Sequence, residues 1–273
     1  MGLQIGVIVG VTLLAIVSVV RGLDGGVKLL SNVNMLIAFV LLVFVAMVGA
    51  AVAFGSIPTT LMAYVSNIIP LSNPHGRPDE AWLQGWTVFY WAWWISWSPF
   101  VGMFIARVSK GRTIREFLIA VLAVPTLVTV IWMSVYGGIG IDQVANKIGL
   151  LGENGLTSVP LAMFQMFDAL PMSMVLSVIA IVLVLVFFIT SSDSGSLVID
   201  NITAGGKTDA PRSQRVFWAT LEGVIAGALL YGGGSTALTA LQAGAVATGL
   251  PFTIVLLLMC FSLYKGLHKE WKQ

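Results

Sequence analysis

Gly85-Trp86-Thr87-Val88-Phe89-Tyr90-Trp91-Ala92-Trp93-Trp94-Ile95-Ser96-Trp97-Ser98-Pro99-Phe100 is the densest aromatic run of the chain, and six of its nine tryptophans lie between Trp82 and Trp97. On a helix of about 100° per residue, Trp82, Trp86, Tyr90, Trp93, Trp97 and Phe100 share a stripe about 80° wide, with Trp94 just beside it. Indole faces attract cations, and a quaternary ammonium, which has no N–H to hydrogen-bond, suits them best. The competing reading is an interfacial belt, since tryptophans in membrane helices mark the headgroup level and cluster at span ends. Trp93, Trp94 and Trp97 instead sit near the middle of the apolar run from Trp86 to Ile105. Pro99 removes a backbone donor and leaves the Ile95 carbonyl without its helical partner. At membrane depth such a group is tolerated where it is buried in protein or lines a wet cavity. The stripe is therefore expected to be a binding wall, with Trp91 on the opposite face packing against lipid or a neighbouring helix.

The rest of the chain places this helix in a bilayer. Of 273 residues, 58% are hydrophobic and only 10% charged, and the mean hydropathy is +0.95. That is far too apolar for an ordinary soluble domain. The single cysteine, Cys260, lies inside an apolar run, which excludes a disulfide framework or a thiolate metal site within one chain. His75 and His268 lie in loop or tail contexts without ligand-like spacing. No helix pairs a nucleophile with a base or presents metal ligands at i, i+4, so an enzyme is not expected. Neither is a nucleic-acid partner.

Seven spans are expected from the apolar runs: 3–20, 35–54, 84–106, 117–136, 171–190, 217–232 and 250–263. Residues 56–80, with Pro58, Pro70, Pro74 and Pro78, are expected to lie at the interface. Residues 137–170 read as a long loop with short helices. Glycines 232–234 and the stretch 244–251 bracket the last connection. If the loops after spans one, three and five and the C-terminal tail are cytoplasmic, they hold twelve of the fourteen lysines and arginines, and the other side holds only Arg77 and Lys147. This positive-inside asymmetry puts the C-terminus in the cytoplasm. It puts the N-terminus outside, immediately before a short first span, the arrangement expected of a segment cut from a longer chain.

The run from Gly85 to Arg107, continued by Gly111-Arg112-Thr113-Ile114-Arg115-Glu116-Phe117, resembles the signature of the betaine/choline/carnitine transporter family. The stretches Gly22-Leu23-Asp24-Gly25-Gly26-Val27-Lys28 and Thr190-Ser191-Ser192-Asp193-Ser194-Gly195-Ser196 match it too. The resemblance covers the whole chain. It implies an all-α integral membrane protein, part of a leucine-transporter-like bundle of two inverted five-helix repeats. Family members have twelve spans, and this chain resembles the last seven. Residues 1–55 would then be the last two helices of the first repeat, 56–80 an interfacial linker, 81–265 the second repeat and 266–273 a cytoplasmic tail.

Further implications follow from the resemblance. The tryptophans matching Trp93, Trp94 and Trp97 line the substrate site, Trp94 as a member of the aromatic box and Trp97 near the substrate carboxylate. Phe100 matches a contributor to one sodium site. Thr190 and Ser191 match hydroxyl ligands of the other, with the Phe187 carbonyl nearby. The remaining walls would lie on spans upstream of Met1 or on a partner half-transporter. The implied substrate is glycine betaine, choline or carnitine, driven by a sodium or proton gradient across the inner cell membrane. The family also implies a homotrimer, and no cofactor beyond the coupling ion.

On physical grounds a sodium ion wants several oxygen ligands without much fixed charge, and hydroxyls at a span end supply them together with freed carbonyls. The alternative is that Ser191, Ser192 and Ser194 cap a helix end. Asp193 is a second candidate, to bind a proton or pair with a loop cation. Three functions remain in view: a secondary transporter or its C-terminal part, a non-transporting subunit completing a partner, and, least supported, an intramembrane enzyme.

Overall fold

The computed structural model describes residues 2–22, 26, 28–207 and 211–271. Most of the motif at 22–28, and Lys272 with the last residue, lie outside them. Among the described residues the chain is helical and without strands, in the order α1 (Gly2–Gly22), α2 (Lys28–Val48), α3 (Ala50–Ser72), α4 (Glu80–Trp82), α5 (Phe89–Val108), α6 (Ile114–Leu118), α7 (Val124–Asn146), α8 (Gly149–Asn154), α9 (Ala162–Asp168), α10 (Ser173–Thr203) and α11 (Arg212–Trp271). Wide π turns at Leu83–Val88 and Ile119–Ala123 lead into α5 and α7.

Among the described residues, seven helices are long and apolar enough to cross a bilayer: Gly2–Arg21, Lys28–Val48, Ala50–Ser72, Ile114–Asn146, Ser173–Thr203, Arg212–Gly234 and Thr236–Glu270. The number equals the expectation, but the membership differs. Helix α3 is in the set and the tryptophan helix α5 is not, because indole, serine and proline lower its mean hydropathy. At 20 residues α5 is about 30 Å long, enough for the hydrocarbon core.

Several boundaries move. The second span ends at Val48, and residues 50–72 form their own helix, with Pro58 inside it. The fifth span does not stop at Thr190: α10 runs on to Thr203, so the Thr190–Ser196 cluster lies within a helix. The last connection shrinks to Gly234, whose φ of 53° and ψ of −130° interrupt α11 while residues 244–251 stay helical. The 137–170 stretch keeps its short helices α8 and α9, but α7 extends to Asn146 before Lys147 ends it in a left-handed turn.

Two compact units gather these helices. One contains the described residues of 1–8, 69–108 and 221–273; the other contains Val9–Ile68 and Ser109–Thr220. The core of the second is built on Phe167, which is fully buried, with Leu41 and Val45 of α2, Val135 and Ile139 of α7, and Leu176, Ala180 and Leu183 of α10. The Gln143 side chain donates to the Met166 carbonyl at 3.0 Å and ties α7 to α9. Gly49 and Gly138 let α3 lie close on α7: a Cβ on the first would run into Ile139 and on the second into Ser56. A smaller cluster of Val11, Ala15 and Ile189, with Leu30 and Leu185 against it, links α1 and α2 to α10.

At the head of the Ile114–Asn146 span, α6 opens on a capping box. The Glu116 backbone donates to Thr113 Oγ1 at 3.3 Å, and the Thr113 backbone donates to Glu116 Oε2 at 3.0 Å.

Candidate functional site

The tryptophan helix carries its aromatic stripe as a continuous ladder. Trp86 stacks on Tyr90 at 5.7 Å between ring centroids, Tyr90 meets Trp93 at 5.7 Å, Trp93 meets Trp97 edge-on at 6.4 Å, and Trp97 meets Phe100 edge-on at 5.1 Å. Phe89 adds a further ring beside Tyr90 and Trp93. This is the i, i+3, i+4 spacing of one helix face turned into contacts. Trp93 and Trp97 thus come together with Phe100. Trp94 does not join them: it is 73% exposed and makes no ring contact among the described residues. Trp91, on the far side of the helix from the ladder and one turn before Trp94, is also well exposed.

Pro99 has a different consequence from the one expected. The Ile95 carbonyl it frees accepts a hydrogen bond from Ser98 Oγ at 2.7 Å, and the Trp93 carbonyl accepts one from Ser96 Oγ at 2.9 Å. The acceptor therefore needs no wet cavity, because the neighbouring serine closes it. A different face of α5 is set by α11. A Cβ on Gly249 would lie 3.0 Å from the Ala92 carbonyl oxygen, so the two backbones come into close contact there.

The entrance to α5 is held by a residue the sequence reading had not singled out as a site. Arg77 donates from Nε to Asp79 Oδ1 at 2.8 Å and from Nη1 to the Leu71 carbonyl at 2.8 Å. Its guanidinium lies 5.1 Å from the Trp82 ring centroid. It thereby caps the last turn of α3 with a cation, where the helix dipole favours one. The Asp79 carboxyl is drawn below its usual range by the hydrogen bond from Arg77. Arg-Pro-Asp ahead of an aromatic run was the available signal.

The hydroxyl cluster sits inside α10, which removes the end-capping reading of Ser191, Ser192 and Ser194. Thr190 Oγ1 donates to the Phe187 carbonyl at 2.9 Å, and Ser194 Oγ donates to the Thr190 carbonyl at 2.8 Å. Two of the expected oxygen ligands, the Phe187 carbonyl and the Thr190 hydroxyl, are thus already side by side. Ser191 is exposed, Thr190 half-buried and Asp193 fully buried. No group of three or more His, Cys, Asp or Glu residues that could hold a metal occurs among the described residues.

Comparison with known proteins gives a consistent picture. Residues 1–272 match the family described as BCCT, betaine/carnitine/choline family transporter. The chain is 73% identical over 270 residues to glycine betaine transporter 1 of Vibrio parahaemolyticus, which covers 99% of this chain and 52% of that protein. It is 68% identical over 269 residues to a glycine betaine/proline/choline/ectoine transporter of the same organism, with 98% and 48% covered. To a glycine betaine transporter of Bacillus subtilis it is 42% identical over 274 residues, with 99% and 52% covered. The chain spans about half the length of the curated relatives it matches.

Proposed function

The chain belongs to the betaine/carnitine/choline transporter family, and we propose that it supplies the second repeat of a secondary transporter for glycine betaine or a related quaternary-ammonium solute. The observation that carries this reading is the indole wall of α5. Trp93, Trp94 and Trp97 keep 37%, 73% and 44% of their surface open, so their faces are available to a ligand. A trimethylammonium group held there gains cation–π attraction without losing hydrogen bonds. In this proposal Trp94 contributes the principal face, Trp93 and Trp97 flank it, and Phe100 lies beside one sodium ion. Thr190, Ser191 and the Phe187 carbonyl hold the coupling sodium. The upstream half supplies the other walls, and the protein acts in the inner membrane with its C-terminus cytoplasmic and as a homotrimer.

The test is glycine betaine and choline binding, by tryptophan fluorescence and by uptake, with the chain preceded by the upstream half of the Vibrio parahaemolyticus relative. A desolvated cation–π contact is worth ~2 kcal/mol, so Trp94→Leu weakens binding roughly 30-fold. Trp94→Phe is milder because the ring quadrupole is largely kept. Trp91→Leu brings no comparable loss. Equal losses at Trp91 and Trp94 would reduce the wall to packing.

A further inference from the structure

The end of α10 and the start of α11 are joined by directional polar contacts that the transport reading does not use. Helix α10 terminates on Gly205 and Gly206, with φ of 67° and 87°, and the Gly206 amide donates to the Asn201 carbonyl at 2.8 Å. This left-handed ending satisfies the last carbonyls and lets the chain turn. Beyond the connection, Arg215 Nε donates to Asp200 Oδ2 at 3.1 Å. Asp200 is fully buried and the Arg215 side chain is only 16% exposed. One turn further along α10, Thr203 Oγ1 accepts from Gln214 Nε2 at 2.9 Å and from Trp218 Nε1 at 3.1 Å, and donates to the Ile199 carbonyl at 2.8 Å. Its one donor and both acceptor sites are used. Gln214, Arg215 and Trp218 lie on one face of α11, next to the buried Ala219.

We propose that Asp200, Thr203 and Arg215 are positioning residues for sodium, forming a polar clasp that fixes the register of the α10 segment bearing Thr190 and Ser191. Thr190 lies about 15 Å from Asp200 along an unbroken helix. The other end of α10 is fixed by Leu176, Ala180 and Leu183 in the Phe167 core. The hydroxyls therefore sit between two anchored ends, one apolar and one polar. An apolar contact tolerates sliding by a fraction of a turn. A shared hydroxyl and a buried ion pair do not, since slippage leaves a charge unpaired. The proposal rests on the sodium reading given above.

Thr203→Val keeps the side-chain shape and removes the shared hydroxyl, whereas Thr203→Ser retains it. Hydrogen–deuterium exchange is read on the chain in lipid nanodiscs. Thr203→Val is expected to speed exchange of the 196–203 amides about tenfold and leave 176–183 unchanged, while Thr203→Ser behaves as the parent. In uptake with the upstream half attached, Thr203→Val raises the sodium concentration for half-maximal rate several-fold, with the maximal rate preserved. Unchanged exchange in Thr203→Val overturns the clasp. Faster exchange with unchanged sodium dependence overturns the positioning role and leaves the transport reading standing. Sodium-independent uptake by the parent chain overturns the sodium reading itself, and the positioning role with it.

Discussion

A threonine hydroxyl in a helix has a carbonyl within reach one turn back, and Thr190 uses the one at Phe187. A cation bound there takes over the hydroxyl oxygen and the carbonyl together, so it replaces one hydrogen bond with two ion–oxygen contacts. On the sodium reading proposed above, loss of Thr190 and Ser191 removes two neutral ligands and leaves the buried residues of α10 in place. The double substitution Thr190→Ala/Ser191→Ala is expected to raise the sodium requirement of uptake about 5- to 150-fold, the span of a coupling free energy of ~1–3 kcal/mol. Unchanged sodium dependence would leave the hydroxyls a purely local role. At this scale the sequence was informative about residue type and misleading about setting. Thr190 to Ser196 read as a span end because polar residues follow an apolar run, yet buried Asp193, Ser196 and Asp200 keep the helix going inside the protein. Hydropathy registers what lipid accepts, not what a polar interior accepts.

Helices α3 and α5 pose a parity question. The basic group Arg107, Lys110, Arg112 and Arg115 follows α5, and Lys207, Arg212 and Arg215 lie two crossings later. For all of these to share the side of Arg21 and Lys28, only one of α3 and α5 can cross. The tryptophan helix fits the crossing role, because its 20 residues are long enough for the hydrocarbon core and Trp97 and Phe100 of its ladder lie away from both its ends. Helix α3 carries Pro58, Pro70 and several hydroxyls and fits an outer-surface position. Single cysteines at Lys110 and Lys207 should then resist a membrane-impermeant maleimide on intact cells, while one at Lys147 reacts. Labelling of the first two from outside would reverse the topology. The aromatic periodicity forecast the ladder from Trp86 to Phe100 almost contact for contact, since one helix face needs only local geometry. The π turn at Leu83–Val88 was not legible, and it separates Trp82, which meets Arg77 instead, from the rest of the stripe.

For the molecule as a whole, a place in the bilayer was legible from composition, and the family, with the all-α fold it implies, from the long tryptophan motif. The core was not, because an interior helix face and a lipid-facing one are equally apolar. Phe167 illustrates this: it sat in a stretch read as a long loop with short helices, yet among the described residues it is the largest fully buried side chain. Phe167→Ala is expected to cost about 3–5 kcal/mol, through the cavity it leaves among α2, α7 and α10. Denaturant unfolding in detergent micelles would measure it, with the exposed Phe39→Ala as the control expected to change little. The joint in α11 has a consequence of another kind. A single glycine with a backbone conformation that side-chain-bearing residues rarely adopt separates two long helices, and Gly233 leaves no room for a Cβ against Ala237. Such a junction offers a protease no slack chain to draw into its cleft, and an inserted tag there would have to break two helices at once.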